Sequence, residues 1–140
     1  MFHMALFTWS PVYSVGNDLI DSEHQKLFEM ADRLHSAMLS GRGQLVLRQL
    51  FADLADYTRT HFSHEEALMA RHSYPELQAH AEIHRQLIAK LSKLQTDLAG
   101  GKLTVTMDTM QFLRDWLQHH IGKTDRLVAN HVREAQLARC

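Results

Sequence analysis

The chain has 140 residues, 45% of them hydrophobic, which is enough for one domain to bury its own core without staples. Fifteen basic residues against 16 acidic ones leave a formal net charge of -1, excluding the basic field of a nucleic-acid binder and the acidic tract of a solvating tail. The single cysteine, Cys140, is the last residue, so an internal disulfide is impossible, a reducing compartment is the expected setting, and cysteine ligation of a metal is not expected.

No apolar run approaches the roughly 18 residues of a membrane span. The opening MFHMALFTWS lacks a basic start and a small-residue cleavage pattern, so a cytoplasmic protein is expected. Residues 1–17 contain Trp9, Pro11, Tyr13, Gly16 and Asn17 without periodicity, and read as an extended arm whose aromatics cover one end of the core. A first helix is predicted from Asp18, capped by Asp18 or Asp21, with Glu23 in its first turn. Its apolar residues, Leu27, Phe28, Met30, Ala31, Leu34, Met38 and Leu39, keep a helical period until Ser40-Gly41-Arg42-Gly43. His24 leads that face.

A second helix is predicted from Gln44 to Arg71, where Leu47, Leu50, Phe51, Leu54, Tyr57, His61, Leu68 and Met69 recur at threes and fours. RHSYP follows as a tight turn, since proline suits the start of a helix and discourages helix in the residue before it. A third helix is then expected from Pro75 to Ala99, with Leu77, His80, His84, Leu87, Leu91, Leu94 and Leu98 in register before Gly100-Gly101. The fourth is expected from Thr106 to Ile121, carrying Met110, Leu113, Trp116, Leu117, His120 and Ile121, and a short last helix from Lys123 to Ala138. The fold class is therefore all-α: an antiparallel up-down-up-down four-helix bundle over residues 18–138, with the arm at one end and a short C-terminal helix at the other, in a single domain spanning 1–140.

The 11 histidines are the unusual feature. His61 and Glu65 are four apart, as are His80 and His84, so each pair leaves one helix face about 40° out of line. Either pair alone is more often incidental than metal-binding. The run from His64 begins like a HExxH zinc protease motif, but its last position is Leu68, so that reading fails. Asp125 follows His120 by five residues, a turn of about 140° from alignment on an ideal helix, so the two share a face only if the helix bulges or breaks, with Gly122 the expected place.

Collected by helix, the inward polar residues are His24, then His61 and Glu65, then His80 and His84, then His120 with Asp125. Burying one unpaired polar side chain costs on the order of 1 to 3 kcal/mol, and an unpaired carboxylate costs more, against a net stability of only about 5 to 15 kcal/mol. A pair of metal ions satisfies all seven at once, with neutral imidazoles binding through one nitrogen and carboxylates bridging. Imidazole donors suit zinc, copper, iron and nickel, and a histidine and carboxylate set also accepts manganese, so donor type alone leaves the metal open.

These residues resemble the hemerythrin family, and the bacterial hemerythrins in particular: His24 in DSEHQKLF, His61 and Glu65 in HFSHEEALM, His80 and His84 in HAEIH, and His120 to Asp125 in HHIGKTD. The resemblance runs from Trp9 to about Val128, and all seven ligand positions are filled. It implies two iron ions with a bridging oxo or hydroxo group that reversibly bind dioxygen, held as hydroperoxide at the open iron. His80, His84 and His120 would serve the fully coordinated iron, His24 and His61 the open one, and Glu65 and Asp125 would bridge. Leu27, Phe28, Phe62, Trp116, Leu117 and Ile121 flank these positions and are the candidate walls of a dry oxygen pocket; each alone reads more readily as ordinary core except Trp116, which sits one turn before His120.

The remaining histidines, His3, His35, His64, His72, His119 and His131, lie off the inward faces and are expected to be solvent-exposed. The leading functional reading is an oxygen carrier, storage or delivery protein that acts as a monomer and is not an enzyme. A sensor module that signals to a protein partner is the alternative; the absence of a fused output segment in this sequence favours the carrier. A di-iron enzyme acting on peroxide or nitric oxide ranks last, because no added acid or base accompanies the site.

Overall fold

The computed structural model describes residues 9–100 and 107–138. His3, Thr106 and Cys140 lie outside the described residues. Five α-helices follow a short 3-10 turn at Pro11–Tyr13: α1 Asp18–Leu39, α2 Gln44–Arg71, α3 Leu77–Ala99, α4 Met107–His119 and α5 Asp125–Ala138. Among the described residues there is no strand. α1 packs on α2, α2 on α3, and α4 closes the bundle against α1, as short connections between antiparallel neighbours require.

The start of α1 differs from the sequence expectation. Asn17, in extended backbone, caps the helix, its side-chain oxygen accepting the Ile20 amide at 3.0 Å. Asp21 instead ties down the arm: its carboxylate accepts the Ser14 hydroxyl and the Val15 amide, both at 2.7 Å. An acidic residue one turn into a helix serves the segment before it when that segment folds back. Trp9 and Tyr13 then pack on the core, with Tyr13 ring-to-ring against Phe28 at 5.1 Å.

The turn after α2 also shifts a boundary. Ser73 takes a left-handed backbone (φ 52°), letting the Tyr74 amide reach back to the Met69 carbonyl at 2.9 Å. The Leu77 amide then bonds to the Tyr74 carbonyl at 3.2 Å, so Pro75 and Glu76 lie in a turn and α3 begins at Leu77, two residues after the proline. α4 ends at His119, not Ile121, and α5 begins at Asp125, not Lys123. Between them, His120–Thr124 form a π-helical turn in which the Asp125 amide bonds to the His120 carbonyl. The helix bulges there without breaking.

The main core runs along the bundle: Leu27, Phe28, Ala31 and Leu34 from α1, Leu47, Phe51, Leu54, Ala55 and Phe62 from α2, Leu91 and Leu98 from α3, and Met110, Leu113, Trp116 and Leu117 from α4, with Ile121 beyond it. Two smaller clusters lie apart from it, one of Val15, Ile20 and Ala129 and one of Met69, Val128 and Val132. They seat the arm and α5. His35 is buried beside Leu34, contrary to expectation, because the wide apolar face of α1 takes in its neighbour; His72 and His131 are half-buried, His131 bonding to the His72 carbonyl at 2.9 Å. His119 is exposed as expected.

Asn17→Ala is expected to destabilise the fold by about 1 kcal/mol in urea unfolding, as loss of a helix cap does, whereas Asp18→Ala changes stability by less than about 0.5 kcal/mol. Equal effects at the two positions would show that Asn17 is not the cap.

Candidate metal centre

Each helix of the bundle contributes inward polar residues. His24 lies near the start of α1, His61 and Glu65 one turn apart on α2, His80 and His84 one turn apart on α3, His120 at the head of the π-turn, and Asp125 at the first position of α5. All seven are at most 4% exposed. The i→i+5 bonding of the π-turn widens the helix by one residue and brings Asp125 back to the His120 face, with Asp125 Oδ1 3.1 Å from His120 Nε2.

The donor atoms fall into two groups, one of His80, His84, His120, Glu65 and Asp125, the other of His24, His61, Glu65 and Asp125, with the donors in each within 4.8 Å of one another. Both carboxylates divide their oxygens between the groups. Glu65 Oε1 lies 2.7 Å from His80 Nε2 and 3.1 Å from His84 Nε2, while Oε2 lies 3.3 Å from His61 Nε2 and 3.6 Å from His24 Nε2. Asp125 Oδ1 faces His80 and His120 at 3.2 and 3.1 Å, and Oδ2 faces His24 at 2.9 Å. Every imidazole turns its Nε2 inward.

Hydrogen bonds alone do not satisfy this cluster. His24 Nδ1 and Nε2, His61 Nε2, Glu65 Oε2 and both Asp125 oxygens are buried without an aligned hydrogen-bond partner, despite the short distances. His84 Nε2 and His120 Nε2 lie 3.1 Å apart, a pair that repels as two lone pairs unless a proton or a cation sits between them. Five nitrogens and two split carboxylates form the donor set of two first-row transition-metal ions, so the residues present fit such a pair.

Two further carboxylates orient the imidazoles from behind. Glu23 Oε1 accepts from His61 Nδ1 at 3.0 Å, and Glu66 Oε2 accepts from His84 Nδ1 at 3.0 Å, leaving each Nε2 free to ligate. Glu23 also holds His64 Nδ1, so a half-exposed surface histidine stands as partner to the site. By sequence Glu23 belongs only to the first turn of α1, and His64, close enough to a ligand helix to be a surface partner, is expected to be exposed and not to take that part. The usable signal was the three-residue spacing of His61 and His64 on one helix, opposite a carboxylate that immediately precedes His24. Glu66, next to Glu65, carried no signal of its own.

Burial disfavours charge on every one of these groups, but the mixed charges outweigh it. The carboxylates around them raise His24 and His80 above the usual range, His61 to about 9 and His120 to about 10. Reciprocally, the imidazoles hold Glu65 and Asp125 well below the ordinary carboxylate range, and hydrogen bonds from His61 and His64 hold Glu23 below it. Protons therefore occupy His61 and His120 in the metal-free chain at neutral pH and compete with a metal ion.

Of the candidate pocket residues, all six are buried, from Leu27 and Phe62 at 1% to Trp116 at 7% exposed. Phe62 makes the ring contacts with the cluster: it stacks on His84 at 3.8 Å and 3°, and lies 5.6 Å from His120 and 5.9 Å from His61. Trp116 stands edge-on behind it at 6.1 Å.

A bundle burying such a cluster defines a metal-binding helical protein. The family model described as Hemerythrin HHE cation binding domain matches residues 15–132, and the chain belongs to the hemerythrin family. Bacteriohemerythrin of Methylococcus capsulatus is 35% identical over 125 residues, covering 89% of this chain and 95% of that protein. Myohemerythrin-1 of Phascolopsis gouldii is 33% identical over 119 residues, covering 85% and 88%. A crystal structure of wild-type hemerythrin matches with a TM-score of 0.86 at 31% identity, over 91% of this chain and 98% of that one.

Two outcomes are expected. Loading metal into the metal-free chain near neutral pH releases protons, and affinity falls as pH falls below the raised imidazole values; an indicator dye in weak buffer that records no release would contradict the charge assignment. Glu23→Ala weakens metal binding by about 10- to 100-fold in chelator competition, whereas Glu82→Ala, on the exposed surface of α3, leaves it unchanged.

Proposed function

We propose that this chain reversibly binds dioxygen at a non-haem di-iron centre, as a carrier or store. The observation that carries the reading is the unequal division of donors: three imidazoles in one group and two in the other, with Glu65 and Asp125 offering one oxygen to each. His80, His84 and His120 would hold one iron, and His24 and His61 the other, whose sphere is one protein donor short. When bound, the iron pair supplies the electrons and the open position that reversible dioxygen binding needs.

The protein's part is orientation and exclusion of water. Glu23 and Glu66 fix two imidazoles in the ligating tautomer. Leu27, Phe28, Phe62, Trp116, Leu117 and Ile121 form the apolar wall that keeps solvent from the cluster. Trp116 is the outer side of that wall: with Ile83, Leu87, Phe112, His119 and the donor His120 it lines a surface groove of about 460 Å³ between α3 and α4. Behind it lies Phe62, stacked on His84. No helix of the described residues is long and apolar enough to cross a membrane, and we read the chain as a cytoplasmic monomer.

Anaerobic reduction followed by exposure to air tests the reading. Two irons per chain are expected, with a visible band that develops with dioxygen and vanishes when dioxygen is removed. One-way conversion to a stable ferric form would overturn it. Trp116→Ala should keep both irons yet oxidise irreversibly severalfold faster, by widening the groove where it meets His120 and admitting water to the cluster; an unchanged oxidation rate would remove Trp116 from the wall.

A further inference from the structure

The seven donors are closed off from solvent, so an ion needs a way in and out. A cavity of about 60 Å³ reaches the two shared carboxylates from the outside, lined at its inner end by Glu65 and Asp125 and at its mouth by Gly16, Asn17 and Arg133. Its walls come from α1, α2 and α5, through Ile20, Leu68, Val128, Ala129 and Val132, and from the end of the arm. These wall residues belong to the two small clusters, not to the main core. The seam between the arm and α5 is therefore packed by small clusters that stand apart from the main core.

Two details tie the seam to the donors. Asp125 is the first residue of α5, reached through the π-turn, and neither of its oxygens has an aligned hydrogen-bond partner, so the position of α5 sets the position of this carboxylate. Across the mouth, an Arg133 guanidinium nitrogen lies 3.2 Å from where a Cβ on Gly16 would stand, a close approach that glycine's bare backbone permits. Arg133 thus lies close over the arm at the mouth of the cavity.

We propose that this cavity is the route by which divalent metal ions reach and leave the centre, opened by local detachment of α5 from the arm and closed when Asp125 engages as the last donor. An ion passing along it meets Glu65 and Asp125 before any imidazole, as a cation drawn by paired carboxylates should. Opening costs only the small seam clusters and leaves the main core intact, the pattern of a local opening whose free energy is far below that of global unfolding. The proposal rests on the metal-binding reading of the cluster.

The test follows iron(II) leaving the loaded protein into excess chromogenic chelator under anaerobic conditions. Val132→Ala, in the cavity wall, is expected to speed release roughly tenfold by weakening the seam. Leu98→Ala, about 21 Å along α3 from His84 and within the main core, removes more buried volume and lowers global stability further, yet should leave the release rate within about twofold. Release that follows global stability in both variants would overturn the route. If Val132→Ala fails to fold, hydrogen exchange on the unaltered loaded protein decides: α5 amides should exchange ahead of those in α1 to α3, and uniform exchange would contradict the proposal. A chain that holds no stoichiometric metal from the start would instead sink the metal-centre reading itself.

Discussion

Everything in this structure turns on two buried carboxylates shared among five imidazoles. Glu65 and Asp125 each present one oxygen to a three-histidine group and the other to a two-histidine group, within a bundle interior that is largely apolar. Without cations the arrangement leaves lone pairs facing lone pairs at His84 and His120 and orphans six buried polar atoms on His24, His61, Glu65 and Asp125. Each such orphan costs about 1 to 3 kcal/mol, comparable in sum to the whole stability of a domain. Protonated imidazoles relieve part of that burden in the metal-free chain, and metal ions relieve it at every one of these atoms except His24 Nδ1, which faces away from the donors.

The bundle meets this demand with ordinary helical geometry at all but one place. On α2 and α3 a spacing of four aligns each pair of donors without distortion. His120 and Asp125, five apart, cannot align on an α-helix, and the π-turn is the local solution: one wider turn, with the Asp125 amide returning to the His120 carbonyl. Because this irregular turn joins α4 to α5, the same device that aims Asp125 is also the joint on which the proposed detachment of α5 would turn. Orientation of the donors and access to them are then two consequences of a single backbone feature.

Much of this was legible in the residues. Apolar repeats at threes and fours located four of the helices, to the residue for α2, and the seven inward donors followed from the same periodicity because buried polar residues stand out on an apolar stripe. What escaped was decided across helices. Glu23 looks like a first-turn acid until α2 brings His61 and His64 against it; Asn17 and Asp21 exchange their expected duties because the arm folds back on α1. His35 is buried by the breadth of the α1 interface, a matter of how closely neighbours pack and not of its own spacing. Pro75 was read as helix, but a turn fixed by Ser73's left-handed backbone delays α3 to Leu77.

The most direct test of the central claim is a crystal of the iron-loaded protein measured at the iron absorption edge. The account predicts two anomalous peaks within about 4 Å of one another, one among His80, His84 and His120, the other between His24 and His61, with Glu65 and Asp125 spanning both. A single peak, or iron bound anywhere outside the two donor groups, would contradict it.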